Sequence, residues 1–248
     1  MKIALFAQGV IAKKCLKIFK DYPLEDISIS VVVTTDSFYQ NEILDNFGNV
    51  KFIDNSVRNE DLILSAISDY DIDTIISIQH PWILSSKIID AVDKRAFNLH
   101  NAKLPDYKGH NSISHAILNA DEFYTTTIHR LSPRVDMGDI IFEDSIPIKP
   151  NDTAYSLYKR TLLPARKNFQ RLIEHLSLGF DLPSKKIETQ GKFYSKNGLN
   201  TLKEISTEES WDDIQRKVRA FYFPPHEPAF IRLGDHKVYP HVDLKSFY

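Results

Sequence analysis

The sequence predicts an α/β chain: a doubly wound, mostly parallel sheet, followed by a small C-terminal region of one helix and a β-hairpin. Three observations lead there. Short apolar and β-branched runs alternate with stretches of helical spacing along the first part of the chain, the pattern of a parallel sheet covered on both faces. A long helical stretch over 152–176 closes that alternation. After Gly179 the composition turns to prolines and aromatics, among them Pro183, Pro224, Pro225, Pro228 and Pro240, so a boundary is placed near residue 180. The expected units are 1–180 and 181–248.

The elements follow in order. Residues 2–7 read as a buried strand and 10–19 as a helix, with Ile11, Cys15, Ile18 and Phe19 on one face. Strands are expected at 27–33, 50–53, 73–78, 96–100, 125–131 and 139–146. Helices are expected at 60–67, 85–92 and 112–118. Asn151, Asp152 and Thr153 offer capping groups for the long helix, and Pro164 should kink or divide it. In the C-terminal region a helix is expected at 208–220. A hairpin is expected at 229–238, turned at Gly234-Asp235.

Composition excludes several classes of function. With 248 residues, 42% apolar and 26% charged, the chain is of ordinary globular type. No apolar run reaches the roughly 20 residues of a membrane span. Gln8 and Gly9 interrupt the N-terminal apolar run and Lys13, Lys14, Lys17 and Lys20 follow, so a first strand is expected rather than a signal peptide, and a cytoplasmic location. The single cysteine, Cys15, rules out an intrachain disulfide and reads as a small buried apolar residue. A net charge of −2 lacks the basic surplus of a nucleic-acid binder. The histidines show no H-E-x-x-H spacing, so no metal is expected.

In an open α/β sheet, ligands gather at the carboxyl ends of the strands. Gln8-Gly9, Gln79-His80-Pro81-Trp82 and Asn98-Leu99-His100 reach that edge. The first lacks G-x-G-x-x-G, and no G-x-x-x-x-G-K-[ST] occurs, so nicotinamide and P-loop chemistry are not expected. Alternation along a strand puts Asn98 and His100 on one face. A histidine can take a proton near neutral pH and a carboxamide can donate to a developing oxyanion. A polar strand end is the plain alternative for Asn-x-His alone.

The rest of the pattern is more specific. Asn98-x-His100, Leu104-Pro105, Lys108-Gly109 and Asp136-x-Gly138-x-Ile140, with their spacings, resemble the folate-dependent formyltransferase family of glycinamide ribonucleotide, methionyl-tRNA and nucleotide-sugar enzymes. The resemblance runs from about Asp73 through Ile148 and implies a Rossmann-like sheet. It further implies Asn98, His100 and Asp136 as catalytic residues, and N10-formyltetrahydrofolate as formyl donor. Trp82, Ile83 and Leu84 match the segment whose backbone holds the pterin, and Gly138 belongs to the same cofactor side. Ile83 and Leu84 also read as plain core. Many members have Pro-Ser-Leu-Leu-Pro and Arg-Gly where this chain has Asn101-Ala102-Lys103-Leu104-Pro105 and Lys108-Gly109.

His100-Asn101 in place of His-Pro, and the segment from Val218 to Pro225, resemble the nucleotide-sugar branch. The acceptor implied is a nucleotide-linked amino-dideoxy sugar, preferably dTDP-linked and aminated at position 3 or 4, supplying a bacterial surface polysaccharide. GDP-perosamine and UDP-linked amino sugars stay open. A methionyl-tRNA enzyme should carry a larger, more basic C-terminal domain. A non-catalytic nucleotide-sugar-binding module would not need all three polar residues. Phe221, Tyr222 and Phe223 either stack on the nucleotide base or pack the C-terminal region. Lys108, His110 and Asn111 either meet a pyrophosphate or sugar or line a solvated loop. Gln79 is expected at the cleft, and His80 there as ligand group or structural residue. The apolar hairpin suggests a homodimer.

Overall fold

The computed structural model describes residues 1–21, 26–35, 50–54 and 56–241, side chains 20 and 21 excepted. The last seven residues of the expected C-terminal unit, 242–248, lie outside the described residues. The chain begins with β1 (Lys2–Ala7), α1 (Gly9–Asp21), β2 (Ser28–Thr34) and β3 (Lys51–Asp54). There follow α2 (Glu60–Asp69), β4 (Thr74–Ile78), α3 (Ser86–Asp90) and β5 (Ala96–His100). A two-residue strand β6 (Lys108–Gly109) precedes α4 (Ser112–Leu118), β7 (Phe123–Arg130) and β8 (Ile140–Pro147). The long helix α5 (Ala154–Leu178) leads to β9 (Phe193–Tyr194), α6 (Trp211–Phe221) and the hairpin β10 (Ile231–Leu233) and β11 (His236–Val238).

The main sheet has seven strands in the order β3-β2-β1-β4-β5-β7-β8. The first five are parallel; β7 pairs with β5, and β8 with β7, in the antiparallel sense. Both faces are covered because the strand residues alternate. Ile3, Leu5, Ile76, Ile78, Phe97 and Leu99 pack under α1 and α5. Ala4, Phe6, Val31, Val33, Ile75 and Ala96 pack under α2 and α3. Asn98 and His100 share the face of Ala96 by the same alternation.

Of the two outcomes expected of Pro164, a kink or a division, helix α5 shows no division, since Pro164 lies inside it. Pro164 removes one backbone donor at about 3 kcal/mol. Buried residues on both sides of it, from Leu157 to Phe169, Leu172 and Ile173, hold the helix to the sheet. Each large apolar side chain contributes about 1.5–3 kcal/mol, so packing outweighs the break. Thr153 caps the helix through Ser156 in a reciprocal capping box.

A third core joins the middle of the chain to its C-terminal segment. Ala102, Tyr107, Ala116, Ile117, Tyr124, Ala154 and Leu157 pack against Leu199, Ile205, Val218, Ala220, Phe221 and Ala229. The Tyr222 carbonyl accepts the Tyr155 N–H in the first turn of α5, meeting a donor the helix leaves open. Strand β9 pairs in parallel with β6. The C-terminal segment therefore braces the loop that follows β5.

Candidate functional site

Asn98 and His100 stand on β5, and Asp136 comes from the connection between β7 and β8. Asp136 has φ +49, a left-handed conformation that aspartate tolerates better than most residues. Two residues later Gly138 lies directly on the backbone of Arg130: a Cβ there would fall inside contact distance of the Arg130 carbonyl. Glycine at 138 thus lets the turn fold back until Asp136 faces His100. Its need is steric and local, a reason the sequence did not provide when it placed Gly138 on the cofactor side.

Asp136 is the hub. Its Oδ2 accepts the Gly109 N–H at 2.9 Å and lies 3.8 Å from His100 Nδ1. Its Oδ1 lies 3.5 Å from His129 Nε2. His100 donates from Nε2 to the Tyr107 carbonyl at 2.7 Å. A carbonyl only accepts, so the neutral ring carries its proton on Nε2 and presents a free Nδ1 lone pair toward Asp136. Burial lowers the pKa of His100; the Asp136 charge and the Tyr107 carbonyl pull it partly back. For Asp136 burial pushes upward, but the positive charge that His100 and His129 carry when protonated, with the Gly109 amide, holds the carboxyl well below the usual range. The pair is therefore an ionised carboxylate beside a neutral imidazole at pH 7, both nearly buried.

His129 is the residue that the sequence reading passed over. It is 1% exposed and sits opposite Asn98 in the β5–β7 ladder. Its Nδ1 donates to the Arg130 carbonyl at 2.8 Å, and its Nε2 is 3.0 Å from Asn98 Nδ2. The signal was present in the spacing, since an antiparallel β7 puts Asn98 and His129 on one face. The expected sheet assigned β7 no partner, so nothing linked them.

The other candidates divide. Trp82 and Ile83 are exposed at 39% and 54%, while Leu84 is 5% exposed and packs in the second core. Of the two residues that also read as core, only Leu84 is core. His80 Nδ1 lies 3.3 Å from both backbone polar atoms of Trp82, and burial holds His80 down at about 4. A neutral ring thereby ties the Trp82 loop to the end of β4. Gln79, with φ +55, accepts the Ile11 N–H at 3.3 Å and the Tyr158 hydroxyl at 3.4 Å. Its carboxamide caps α1.

Lys108 is 7% exposed and its Nζ rests 3.2 Å from Met137 Sδ. It belongs to the Asp136 turn, not to a solvated loop. Asn111 donates its side-chain amide to the Lys196 carbonyl at 3.0 Å and has φ +58, so it ties α4 to the C-terminal segment. His110 is exposed and close enough for its charge to depress His100. Phe221 is corrected outright: at 4% exposure in the third core it cannot stack on a base. Tyr222 is 42% exposed, and Phe223 packs edge-on against Tyr155 and Tyr158. Among the described residues no group of three or more His, Cys, Asp or Glu is arranged to hold a metal. No described helix is long and apolar enough to cross a membrane.

The chain is 28% identical over 204 residues to the GDP-perosamine N-formyltransferase of Brucella melitensis, covering 79% of this chain and 74% of that one. A sugar 3-N-formyltransferase crystallised with dTDP and 5-N-formyl-THF aligns with a TM-score of 0.71 at 25% identity, over 90% of this chain and 80% of that one. The N-formyltransferase of Helicobacter canadensis shares the fold, with a TM-score of 0.75 at 21% identity over 96% and 86% of the two chains. The formyl transferase family model matches residues 1–173. The chain belongs to the formyl transferase family.

Proposed function

We propose that this protein transfers the formyl group of N10-formyltetrahydrofolate to the amino group of a nucleotide-linked amino sugar. The observation that carries the reading is the meeting of Asn98, His100 and Asp136 in one nearly buried centre, with His100 neutral and Asp136 ionised. The exposed Trp82 and Ile83, in the loop after β4, the strand that pairs with β5, offer an apolar surface of the kind a pterin ring needs.

In this reading His100 is the base. Its free Nδ1 takes a proton from the attacking amine, and the resulting imidazolium faces Asp136 Oδ2, 3.8 Å away in this state, as a charge-assisted pair. Asn98 donates from its carboxamide to the oxyanion that forms at the formyl carbon. The proton held between His100 and Asp136 then passes to the leaving folate nitrogen. The Tyr107 carbonyl keeps His100 in the one tautomer that can do this.

Within the sugar class we propose dTDP-4-amino-4,6-dideoxyglucose or its 3-amino equivalent, made for a bacterial surface polysaccharide. Support comes from the neighbour crystallised with dTDP. The Brucella melitensis relative favours a second reading, GDP-perosamine. A panel of dTDP-, GDP- and UDP-linked amino sugars, assayed with N10-formyltetrahydrofolate for folate release, separates them. The dTDP sugar is expected to turn over fastest. Asn98→Ala, His100→Ala and Asp136→Ala should each lose about a hundredfold or more in turnover while staying folded. Turnover of no nucleotide sugar by the wild-type protein would sink the acceptor class, and near-normal turnover in all three variants would sink the site.

A further inference from the structure

We propose that His129 is a positioning residue that sets the orientation of the Asn98 carboxamide. The inference rests on the reading of Asn98 as the oxyanion donor and adds what makes it one. The chain of cause begins at the backbone. The Arg130 carbonyl accepts from His129 Nδ1 at 2.8 Å. In the neutral form of the ring, an acceptor there requires the proton on Nδ1, which leaves Nε2 as a lone pair.

That lone pair lies 3.0 Å from the Asn98 side-chain nitrogen and can be met only by an N–H. One amide hydrogen of Asn98 is thereby committed to His129, and the second has a fixed direction into the centre. Without an acceptor at this position the carboxamide is free to turn over. It would then present its oxygen, not its N–H, to the developing negative charge.

Three features fix the arrangement. His129 is 1% exposed and cannot swing away. The β5–β7 ladder places it directly across from Asn98, and the register shift between Ile128 and His129 in the β7–β8 pairing falls at this residue, as bulges do where a side chain is re-aimed. Gly138 packs on the same Arg130 carbonyl that receives Nδ1–H, so the Asp136 turn and the His129 tautomer share one backbone atom.

The charged and titratable groups around the ring are Asp136, whose Oδ1 is 3.5 Å from Nε2, and His100, with ring centres 6.4 Å apart. Both belong to the centre itself. His129 thus touches the other polar residues of the site and holds the one that has no bond to Asp136.

The test is a double-mutant cycle with N10-formyltetrahydrofolate and dTDP-4-amino-4,6-dideoxyglucose, or GDP-perosamine if the panel selects it. His129→Phe fills the ring volume with no acceptor, and His129→Gln restores an acceptor near the Nε2 position. His129→Phe should lower kcat by about ten- to a hundredfold, with KM for both substrates within about threefold of wild type. His129→Gln should recover part of that loss. In an Asn98→Ala background, His129→Phe should cost nothing further, because two residues acting as one unit are not additive. Should His129→Phe not fold, His129→Leu in both backgrounds reads the same coupling. Wild-type turnover in His129→Phe, or a loss that persists undiminished on top of Asn98→Ala, overturns the proposal. Full activity of Asn98→Ala alone would instead remove the reading of Asn98 on which it stands.

Discussion

His100 and Asp136 answer burial in opposite ways, and the difference sets the pH behaviour of the centre. Desolvation disfavours the charged form of each. For His100 it prevails and the pKa falls; for Asp136 the neighbouring His100, His129 and Gly109 amide overrule it and the pKa also falls. A base must be neutral to accept a proton, so activity should persist below the ordinary histidine value of about 6.5 and fail only at lower pH. The stability sign is the same. A lowered pKa in the folded state means that the unfolded chain binds the proton first as pH falls. The contribution of each group is therefore full above its unfolded value and lost as pH drops through its folded one. The Asp136 charge raises the His100 pKa, so removing it should move the acid limb further down. In Asp136→Asn, the residual kcat/KM measured against pH is expected to fail at lower pH than in wild type. An acid limb displaced upward would show that the limb belongs to another group.

At the scale of the element, the turn joining β7 to β8 delivers Asp136, and it depends on Gly138 touching the Arg130 backbone. Gly138→Ala has no room for its Cβ unless the turn lifts away, which moves Asp136 from both histidines. The variant should lose about a hundredfold in kcat/KM, as misplacement of a catalytic group by about 1 Å does, with circular dichroism unchanged. A fully active Gly138→Ala would mean that the turn opens without cost to the chemistry. The sequence made this turn recognisable, because Asp136-x-Gly138 before an apolar strand is a local pattern. It made β1, β4 and β5 recognisable for the same reason: residues such as Ile75, Ile76 and Ile78 form a short run buried on both faces. What it did not yield were relations between distant segments. The antiparallel pairing of β7 with β5 is set by register, and register carries no local signature. Hence His129 was read only as a histidine without metal spacing. Lys108 and Asn111 were left between a ligand contact and a solvated loop for the same reason, since their contacts to Met137 and Lys196 come from residues remote in sequence. Pro164 shows the converse, a strong local signal overruled by burial on both sides of it.

Across the whole molecule, the C-terminal segment is coupled to the proposed catalytic centre through β6. The Tyr194 carbonyl accepts the His110 N–H at 2.9 Å, and the Lys192 carbonyl accepts the Lys108 N–H at 3.0 Å. Gly109, at φ +88, lies so close to the Tyr194 carbonyl that only glycine fits, and its own N–H holds Asp136 Oδ2. The path from β9 to the Asp136 carboxylate therefore runs through one residue of β6. The third core ties the same segment to α4 and α5, with Phe221 and Val218 set against Ala116 and Leu157. Phe221→Ala empties a site that is 4% exposed, and should cost about 3–5 kcal/mol of stability. Chain ending at residue 180 would lose β9 and expose Tyr107, Ile117, Tyr124 and Leu157 together, although the family match itself stops at residue 173. The truncated chain is expected to be inactive, to bind a hydrophobic dye and to unfold at lower temperature than the full protein. Amide exchange would locate the damage, with protection lost at 107–110 before it is lost in β1 and β4. A truncated chain that kept its protection at 107–110 and its turnover would mean that β6 holds Asp136 without β9, and that the C-terminal segment serves the acceptor alone.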